Sequence, residues 1–176
     1  MKIITCHLEG IRLIEPAVYG DHRGFFLESF EHGRYREAGI ADSFVQDNHS
    51  RSFKNVLRGL HFTKHRPQAQ LLTLMSGRIF DVVVDLREGS TTFGDWLGTE
   101  LSSEETLRQI YMPPGFAHGF CVLSDVADLH YKVSQSYDPA DEWGLRWDDP
   151  DVGIAWPVRN PEVSPRDREH PLLRDL

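Results

Sequence analysis

Apolar residues occur along this chain in short runs, separated by Gly, Pro, Asp and Asn. Many short strands joined by frequent turns produce such a pattern. One early stretch, 31–38, has the character of a helix that ends at Gly39. The strands that the pattern predicts are 11–14, 24–30, 43–50, 55–62, 70–75, 78–86, 96–101, 108–112, 117–123 and 127–134.

The order of these elements predicts the fold class. Strands and helices do not alternate, which argues against a Rossmann fold or a TIM barrel. From residue 138 onward the chain is rich in Asp, Pro, Arg and Trp and has little periodicity. We therefore predict an all-β jelly-roll sandwich with short helices, followed by a C-terminal segment of turns and short helices. The length suits one domain, and we expect residues 1–176 to form it.

Composition narrows the possible partners and the compartment. The formal net charge is −8, which argues against general binding to nucleic acid or to an anionic membrane. Cys6 and Cys121 are the only cysteines, too few for a disulfide framework or a zinc ribbon. No signal peptide or membrane-spanning run is visible. We expect a cytoplasmic protein that has neither a membrane nor a nucleic acid as its partner.

The run Val56-Leu57-Arg58-Gly59-Leu60-His61-Phe62 combines two groups that can carry chemistry. A regular strand would direct Arg58 and His61 to opposite faces, because side chains alternate. Gly59 permits a bulge that turns both inward. An imidazole beside a cavity is suited to act as a general base. The alternative is an ordinary strand with a hydrogen-bonded core histidine.

A second polar run points toward a cavity. In 44–50, alternation directs Gln46, Asn48 and Ser50 to one face. Three polar side chains on one face of an apolar barrel indicate a lined cavity, whereas the alternative is a solvent-facing surface.

Two further candidates lie on an early and a late strand. Arg23 and Glu28 flank the start of an early strand and can hold phosphate, hydroxyl or base groups, unless they form only a surface ion pair. Tyr131, on a late strand, can be a general acid if it faces a cavity, or a packed core residue if it does not.

Three histidines raise the question of a metal. His61 and His65 are four residues apart with no carboxylate between them, and His118 follows much later. Spacing by four suits ligands on a helix, but this segment has the pattern of a strand that runs into a loop. We therefore predict no metal, which disfavours a metal-dependent oxygenase.

Six runs, taken in order, resemble one family. They resemble the signatures of the nucleotide-diphospho-4-keto-6-deoxysugar 3,5-epimerases, typified by dTDP-4-dehydrorhamnose 3,5-epimerase. The resemblance extends from residue 15 to about residue 167. It implies a cupin-type jelly roll, a homodimer, a nucleotide-diphosphate sugar as substrate, and no metal or organic cofactor. The matching runs are 23–26, 44–50, 56–61, 80–87, 114–120 and 147–150.

The resemblance also implies roles for individual residues. His61 matches the catalytic base, Asp167 the carboxylate that pairs with it, and Tyr131 the acid on the opposite face of the sugar ring. Arg58 and His118 match polar residues beside the sugar and its phosphates. The positions that match the nucleotide side and the neighbouring pocket are Arg23, Phe26, Glu28, Gln46 and Asn48.

These residue types suit the chemistry that the resemblance implies. A 4-ketone acidifies the hydrogens on carbons 3 and 5, so that a base can form an enolate and an acid can reprotonate it on the other face. The enolate oxygen requires hydrogen-bond donors or cations. We therefore predict an epimerase of deoxysugar biosynthesis. The alternatives are a mono-epimerase acting on another nucleotide or sugar, and a sugar-nucleotide-binding cupin without activity.

The chain departs from the family pattern at two positions. Gln70 stands where the family has a lysine near the substrate ketone, and Ser136-Tyr137 stands where it has two adjacent tyrosines. A neutral donor stabilises an enolate less than a charged one, so we expect Lys64, Arg66 or Arg58 to compensate. Both changes lie on the sugar side of the expected pocket. They make an altered substrate, or inversion of a single carbon, a serious alternative.

Overall fold

The computed structural model describes residues 1–106 and 108–176. Over these ranges the chain forms strands β1–β14, two α-helices and two short 3₁₀ helices. The helices are α1 (His32–Glu37) and α2 (Pro165–Arg168), and the 3₁₀ turns are Pro139–Asp141 and Leu173–Asp175. The strands are β1 (Lys2–Thr5), β2 (Arg12–Glu15), β3 (Val18–Asp21), β4 (Gly24–Leu27), β5 (Gln46–Phe53), β6 (Val56–Thr63), β7 (Gln70–Ser76), β8 (Arg78–Asp85), β9 (Trp96–Ser102), β10 (Gln109–Met112), β11 (Phe116–Val122), β12 (Val126–Val133), β13 (Glu142–Gly144) and β14 (Glu162–Val163).

Two sheets pack face to face. The first has the strand order β1-β2-β10-β7-β12-β5, and the second has the order β13-β6-β11-β8-β9, with β14 added parallel to β6. The core between them contains Leu72 and Leu129 from the first sheet and Ile79 and Val83 from the second, all buried. Burial of such side chains is the main favourable contribution to folding. The predicted all-β sandwich is confirmed.

The predicted strands are all present, but several boundaries differ. The strand predicted at 43–50 begins at Gln46 and continues to Phe53, because it pairs with β12 over that whole length. The strand predicted at 24–30 ends at Leu27, where its hairpin partner β3 begins at Val18. Hydrogen bonding to a neighbouring strand sets these ends, and local composition does not report it.

Four short strands were not predicted: β1, β3, β13 and β14. The last two lie in the tail, where turns and short helices are also found, so the tail is only partly as predicted. The helix predicted at 31–38 is confirmed as α1. Glu31 caps it by accepting from the backbone N–H groups of Gly33 and Arg34, and Gly39 follows it with a φ of +86°. Within the described ranges no helix is long and apolar enough to cross a membrane.

The bulge expected at Gly59 is present. Opposite β11, His61 pairs with His118 and Arg58 pairs with Phe120, so β6 carries one residue more than its partner over this interval. The extra residue returns Arg58 and His61 to the same side, as a bulge does. Gly59 has a φ of +114°, and a Cβ there would lie 2.7 Å from both Gly119 Cα and His118 O.

We expect Gly59→Ala to destabilise the protein by about 3 kcal/mol, because it adds a backbone clash to the strain of a positive φ. Gly39→Ala is the matched control: its φ is also positive, but nothing lies within 4 Å of the added Cβ. It should cost about 1 kcal/mol. Urea unfolding of both variants measures the difference in the free energy of unfolding. Equal losses of stability in the two variants would show that the backbone clash at Gly59 contributes nothing.

Candidate active site

A cavity of about 450 Å³ opens between the two sheets. Strands β5, β7 and β12 line one wall, and β6 and β11 line the other. The segment 135–142 and the start of α2 form the rim. The predicted residues that line this cavity are Gln46, Asn48, Arg58, His61, Gln70, His118, Tyr131 and Tyr137.

His61 is held by a buried carboxylate. Its Nε2 lies 2.9 Å from Oδ1 of Asp167, a residue only 3% exposed. The other carboxylate oxygen accepts the backbone N–H of Gly59 at 3.1 Å. Because the nearer partner of Nε2, at 2.9 Å against 3.2 Å for Arg166 Nη2, is an oxygen that can only accept, we assign the proton to Nε2 and the free lone pair to Nδ1. The arrangement leaves Nδ1 as a proton acceptor.

The electrostatics keep this carboxylate ionised. Burial alone would raise the pKa of Asp167, but the hydrogen bond and charge of His61, with further hydrogen bonds from Gly59 and Ser164, outweigh it and hold the pKa well below its usual range. Ser164 caps α2 and accepts the N–H of Asp167 at 3.1 Å. A fixed negative charge beside the imidazole stabilises the imidazolium that forms when the ring accepts a proton.

Tyr131 lies in the opposite sheet. It pairs with Asn48 of β5 and with Leu72 of β7, whereas His61 belongs to β6 of the second sheet. Burial raises the pKa of the Tyr131 phenol, and the positive charge of Arg58 only partly offsets this. The phenol is therefore protonated at neutral pH and can donate. A proton acceptor and a proton donor thus belong to the two facing sheets and line one cavity.

The polar face predicted for β5 is confirmed, since Gln46, Asn48 and Ser50 all line the cavity. The side chain of Gln46 donates to Asn48 Oδ1 at 2.8 Å and accepts the backbone N–H of Tyr137 at 2.9 Å. Gln46 therefore joins the rim to the wall. This bridge positions Tyr137, whose ring is exposed at the cavity mouth.

A second histidine–carboxylate pair lies beside the first in the same sheet. His118, opposite His61 in the sheet register, places Nε2 2.8 Å from Oδ2 of Asp81. Asp81 has no exposed surface, and its other oxygen has no partner among the described residues. Sequence reasoning missed Asp81 because it lies within an apolar run. The one feature of the sequence that could have indicated it is strand alternation, which directs Asp81 to the face of β8 opposite to Phe80.

The rim holds an ion pair that sequence reasoning also missed. Arg166 donates from Nη1 to Glu142 Oε2 at 2.7 Å and from Nη2 to Oε1 at 3.1 Å. Tyr137 donates to the same carboxylate at 3.0 Å. Burial alone would raise the pKa of Glu142, but the bond from Arg166 outweighs it and lowers that pKa. Arg166 Nη2 also lies 3.2 Å from His61 Nε2, so the pair borders the base directly.

Comparison with known proteins identifies the family. A family model described as dTDP-4-dehydrorhamnose 3,5-epimerase matches residues 5–175. The chain belongs to this epimerase family. It is 45% identical to the dTDP-4-dehydrorhamnose 3,5-epimerase of Methanothermobacter thermautotrophicus, over 99% of this chain and 95% of that one. The sequence prediction of an isomerase is confirmed.

Two further relatives of this epimerase family are informative. One is the dTDP-6-deoxy-D-glucose-3,5-epimerase of Legionella pneumophila, whose crystal structure contains dTDP-4-keto-L-rhamnose. Its sequence is 48% identical to this chain, and the two structures superpose with a TM-score of 0.94 over 98% of this chain and 93% of that one. A dTDP-4-dehydrorhamnose 3-epimerase from Streptomyces niveus is 42% identical over 99% of this chain and 85% of its own. The family thus contains proteins named as 3,5-epimerases and proteins named as 3-epimerases.

The departures from the epimerase pattern lie on the cavity wall. Gln70 and Ser136 both line the cavity, and Gln70 Nε2 donates to Gln68 Oε1 at 3.2 Å. Of the three cations expected to compensate, Arg58 and Arg66 line the cavity. Lys64 does not, and it lies instead 4.6 Å from the ring centroid of Trp143.

Three predicted binding residues of the epimerase pattern lie outside this cavity. Arg23 pairs with Asp21 in the β3–β4 hairpin, and Glu28 pairs with Arg34 of α1. Phe26 is 69% exposed. A single chain therefore does not bring Arg23, Phe26 and Glu28 together with His61 in its own cavity.

One group of side chains in this epimerase has ligand atoms suited to a metal. Atoms of His61, Asp167 and His170 lie within 4.8 Å of one another, whereas His65 and His118 are not part of the group. The guanidinium of Arg166 lies 3.2 Å from His61 Nε2 and 3.5 Å from Asp167 Oδ1. A divalent cation would meet this positive charge. The absence of a metal stays a prediction.

We expect Asp167→Asn to lower stability by about 2 kcal/mol near pH 6, because a buried charged hydrogen bond is lost. The folded-state pKa of Asp167 is depressed, so its contribution is present above the unfolded value of about 4 and is lost as the pH falls. Urea unfolding of wild type and variant should therefore show a gap that narrows toward pH 3. A gap independent of pH would contradict the assignment.

Proposed function

We propose that this protein inverts carbon 3, carbon 5 or both in a nucleotide-linked 4-keto-6-deoxyhexose of the dTDP-4-dehydro-6-deoxyglucose type. The observation that supports this most strongly is the placement of His61 and Tyr131 on facing walls of one cavity. Inversion requires a proton to leave one face of the ring and another to arrive at the opposite face. A protein that only bound the sugar nucleotide would need neither group.

In the first step, His61 Nδ1 removes the hydrogen next to the ketone. The electron pair of the C–H bond becomes the enolate, with its negative charge on the ketone oxygen. The proton stays on the imidazole, whose other nitrogen is held by Asp167 at 2.9 Å. Because Asp167 is ionised, it stabilises the imidazolium without accepting the proton.

In the second step, Tyr131 donates its phenolic proton to the same carbon from the opposite face. The enolate returns to a ketone with inverted configuration, and the phenolate and imidazolium then exchange protons with water. The overall reaction consumes no electrons and is an isomerisation. Arg58, which lowers the pKa of the Tyr131 phenol, favours this transient phenolate.

The enolate oxygen must be stabilised without the usual lysine. Gln70 offers one amide N–H that its bond to Gln68 does not use. Among the arginines that line the cavity, Arg166 pairs with Glu142, and Arg66 lies 3.7 Å from Asp138. Arg58 has no carboxylate partner among the described residues and donates only to Ser52 Oγ at 2.8 Å. We assign the compensating charge to Arg58.

The hypothesis is tested by incubating the protein with dTDP-4-keto-6-deoxyglucose in deuterated water and following the ring protons by NMR. Deuterium at carbons 3 and 5 is expected for inversion of both, and at one carbon for a mono-epimerase, as in the relative named a 3-epimerase. His61→Ala should reduce exchange by about 10³-fold. Tyr131→Phe should still exchange the hydrogen but give mainly product of unchanged configuration. An absence of exchange with a range of keto-sugars would overturn the proposal.

The nucleotide side is assigned to a homodimer. The β3–β4 hairpin projects exposed Tyr19, Phe25 and Phe26, and it carries Arg23 outside the cavity of its own chain. Exposed aromatic side chains next to an arginine suit an interface that also contacts a nucleotide base and phosphates. In the proposed dimer the hairpin of one subunit completes the cavity of its partner.

Subunit mixing tests this arrangement. Phe26→Ala alone should raise KM about tenfold, and His61→Ala should remove activity. A mixed dimer of the two variants has one cavity with His61 intact and an intact hairpin from the other subunit. At substrate concentrations well below KM, random mixing should therefore restore about a quarter of wild-type activity, against about a twentieth for the average of the two variants. If the mixture shows only the average of the two variants, the hairpin serves its own chain.

Two sequence predictions accompany this proposal: that residues 1–176 act as one domain and that the protein works in the cytoplasm. The proposed reaction belongs to deoxysugar biosynthesis and supplies sugars for surface polysaccharides or glycosylated metabolites. Nucleotide-sugar enzymes of this kind use a substrate that is charged and confined to the cell interior, which supports the cytoplasmic location.

A further inference from the structure

A second histidine lies against the carboxylate that holds the base. His170 follows α2, and its Nε2 is 3.4 Å from Asp167 Oδ1, the same oxygen that contacts His61. The His170 side chain is 12% exposed, and Nε2 has no hydrogen-bond partner among the described residues. It does not line the cavity. A buried polar group without a partner is uncommon and invites a functional explanation.

The chain is built to hold this imidazole in place. The His170 ring stands edge-on to the His61 ring, with centroids 5.7 Å apart and an interplanar angle of 86°. It occupies the space beside Gly144, where an added Cβ would lie 2.2 Å from His170 Nε2. Gly144 is itself the residue of β13 that pairs with His61. The side of His61 is thus packed by an aromatic ring that only a glycine neighbour admits.

Hydrogen bonds fix the segment that follows His170. Pro171 O accepts the N–H of Arg146 at 2.9 Å, and the N–H of Leu173 donates to the buried Asp149 at 2.6 Å. The carboxylate of Asp149 therefore ties the end of the chain to the loop after β13. His170 has little freedom to move away from Asp167.

The charges around His170 favour its neutral form. Burial lowers the pKa of the imidazole, the positive charges of His61 and Arg166 lower it further, and Asp167 acts in the opposite direction. From β13, Glu142 faces Arg166 and forms its ion pair. A neutral His170 places a ring nitrogen that can carry an N–H 3.4 Å from the carboxylate, and it adds no charge that would repel the His61 imidazolium.

We propose that His170 is a positioning residue that keeps Asp167 and His61 aligned for proton abstraction and shares the carboxylate oxygen with the base. The inference rests on the proposed epimerase function. Without the second imidazole, the carboxylate rotates more freely and the base leaves its reactive geometry more often. Of the two imidazoles that contact Asp167 Oδ1, only His61 would remain, so the carboxylate would hold the His61 imidazolium more strongly.

His170→Leu and His170→Gln form a matched pair, since both side chains are uncharged and the amide nitrogen of glutamine stands about where Nε2 of histidine stands, so that only glutamine can donate to Asp167. Exchange kinetics of both variants and of wild type are measured in deuterated water across a range of pH. His170→Leu should lower kcat about tenfold with KM within about twofold, because His170 does not line the cavity. The acid limb of its kcat/KM profile should move to higher pH. His170→Gln should recover most of kcat and the wild-type limb.

The inference is overturned if His170→Leu keeps wild-type kcat and an unmoved acid limb, or if both variants lose activity equally with no change in the profile. Should His170→Leu not fold, His170→Met takes its place, because methionine matches glutamine in length and cannot donate to Asp167. Wild-type exchange is the control that separates the two hypotheses. If wild type exchanges no keto-sugar, the proposed function fails, whereas normal wild-type exchange with an unaffected variant refutes only the role of His170.

Discussion

The buried carboxylate of Asp167 is the interaction on which the site depends. An ionised carboxylate in a protein interior is costly unless every oxygen is satisfied. Here one oxygen accepts the N–H of Gly59 and the other contacts His61, so a residue from the tail supports the bulge and the base together. The same contact holds α2 against β6. Two other tail elements, β13 and β14, also pair with β6. The tail is therefore part of the candidate site, and its loss would remove the carboxylate that holds His61.

The sandwich supplies the second requirement, which is a cavity with chemistry on two opposed walls. Alternation along β5 and β12 turns Asn48 and Tyr131 into the space between the sheets, while the bulge of β6 turns in Arg58 and His61. A base and an acid on one strand could reach only one face of a sugar ring. Two sheets about 10 Å apart can hold a ring between them and address both faces. In the proposed reaction, the arrangement of the two sheets would allow one proton to leave one face of the ring and another to arrive at the opposite face.

Sequence alone identifies those parts of the site that follow from local rules. Alternation predicts the polar face of β5, and Gly59 predicts the bulge, because both depend on neighbours within a few residues. Glu142, Arg166 and His170 were missed for the opposite reason. They lie near His61 only because the chain returns to it from far along the sequence, as the His61–Asp167 contact does across 106 residues. No local pattern in a tail rich in Asp, Pro and Arg reports which residue returns to β6. The pairing of Asp167 with His61 was predicted only through the family resemblance.

The loss of the family lysine changes how charge must be supplied to the enolate. Gln70 and Gln68 form a neutral wall, so a cation must reach the ketone from elsewhere in the cavity. An arginine already bound to a carboxylate delivers little net field, since its partner cancels much of it. Arg166 and Arg66 have such partners, whereas among the residues that the structure describes Arg58 donates only to the hydroxyl of Ser52. Arg58 is also the cation that lowers the pKa of the Tyr131 phenol. In the proposed reaction one arginine would thereby act on both the enolate and the acid, so its charge serves two steps.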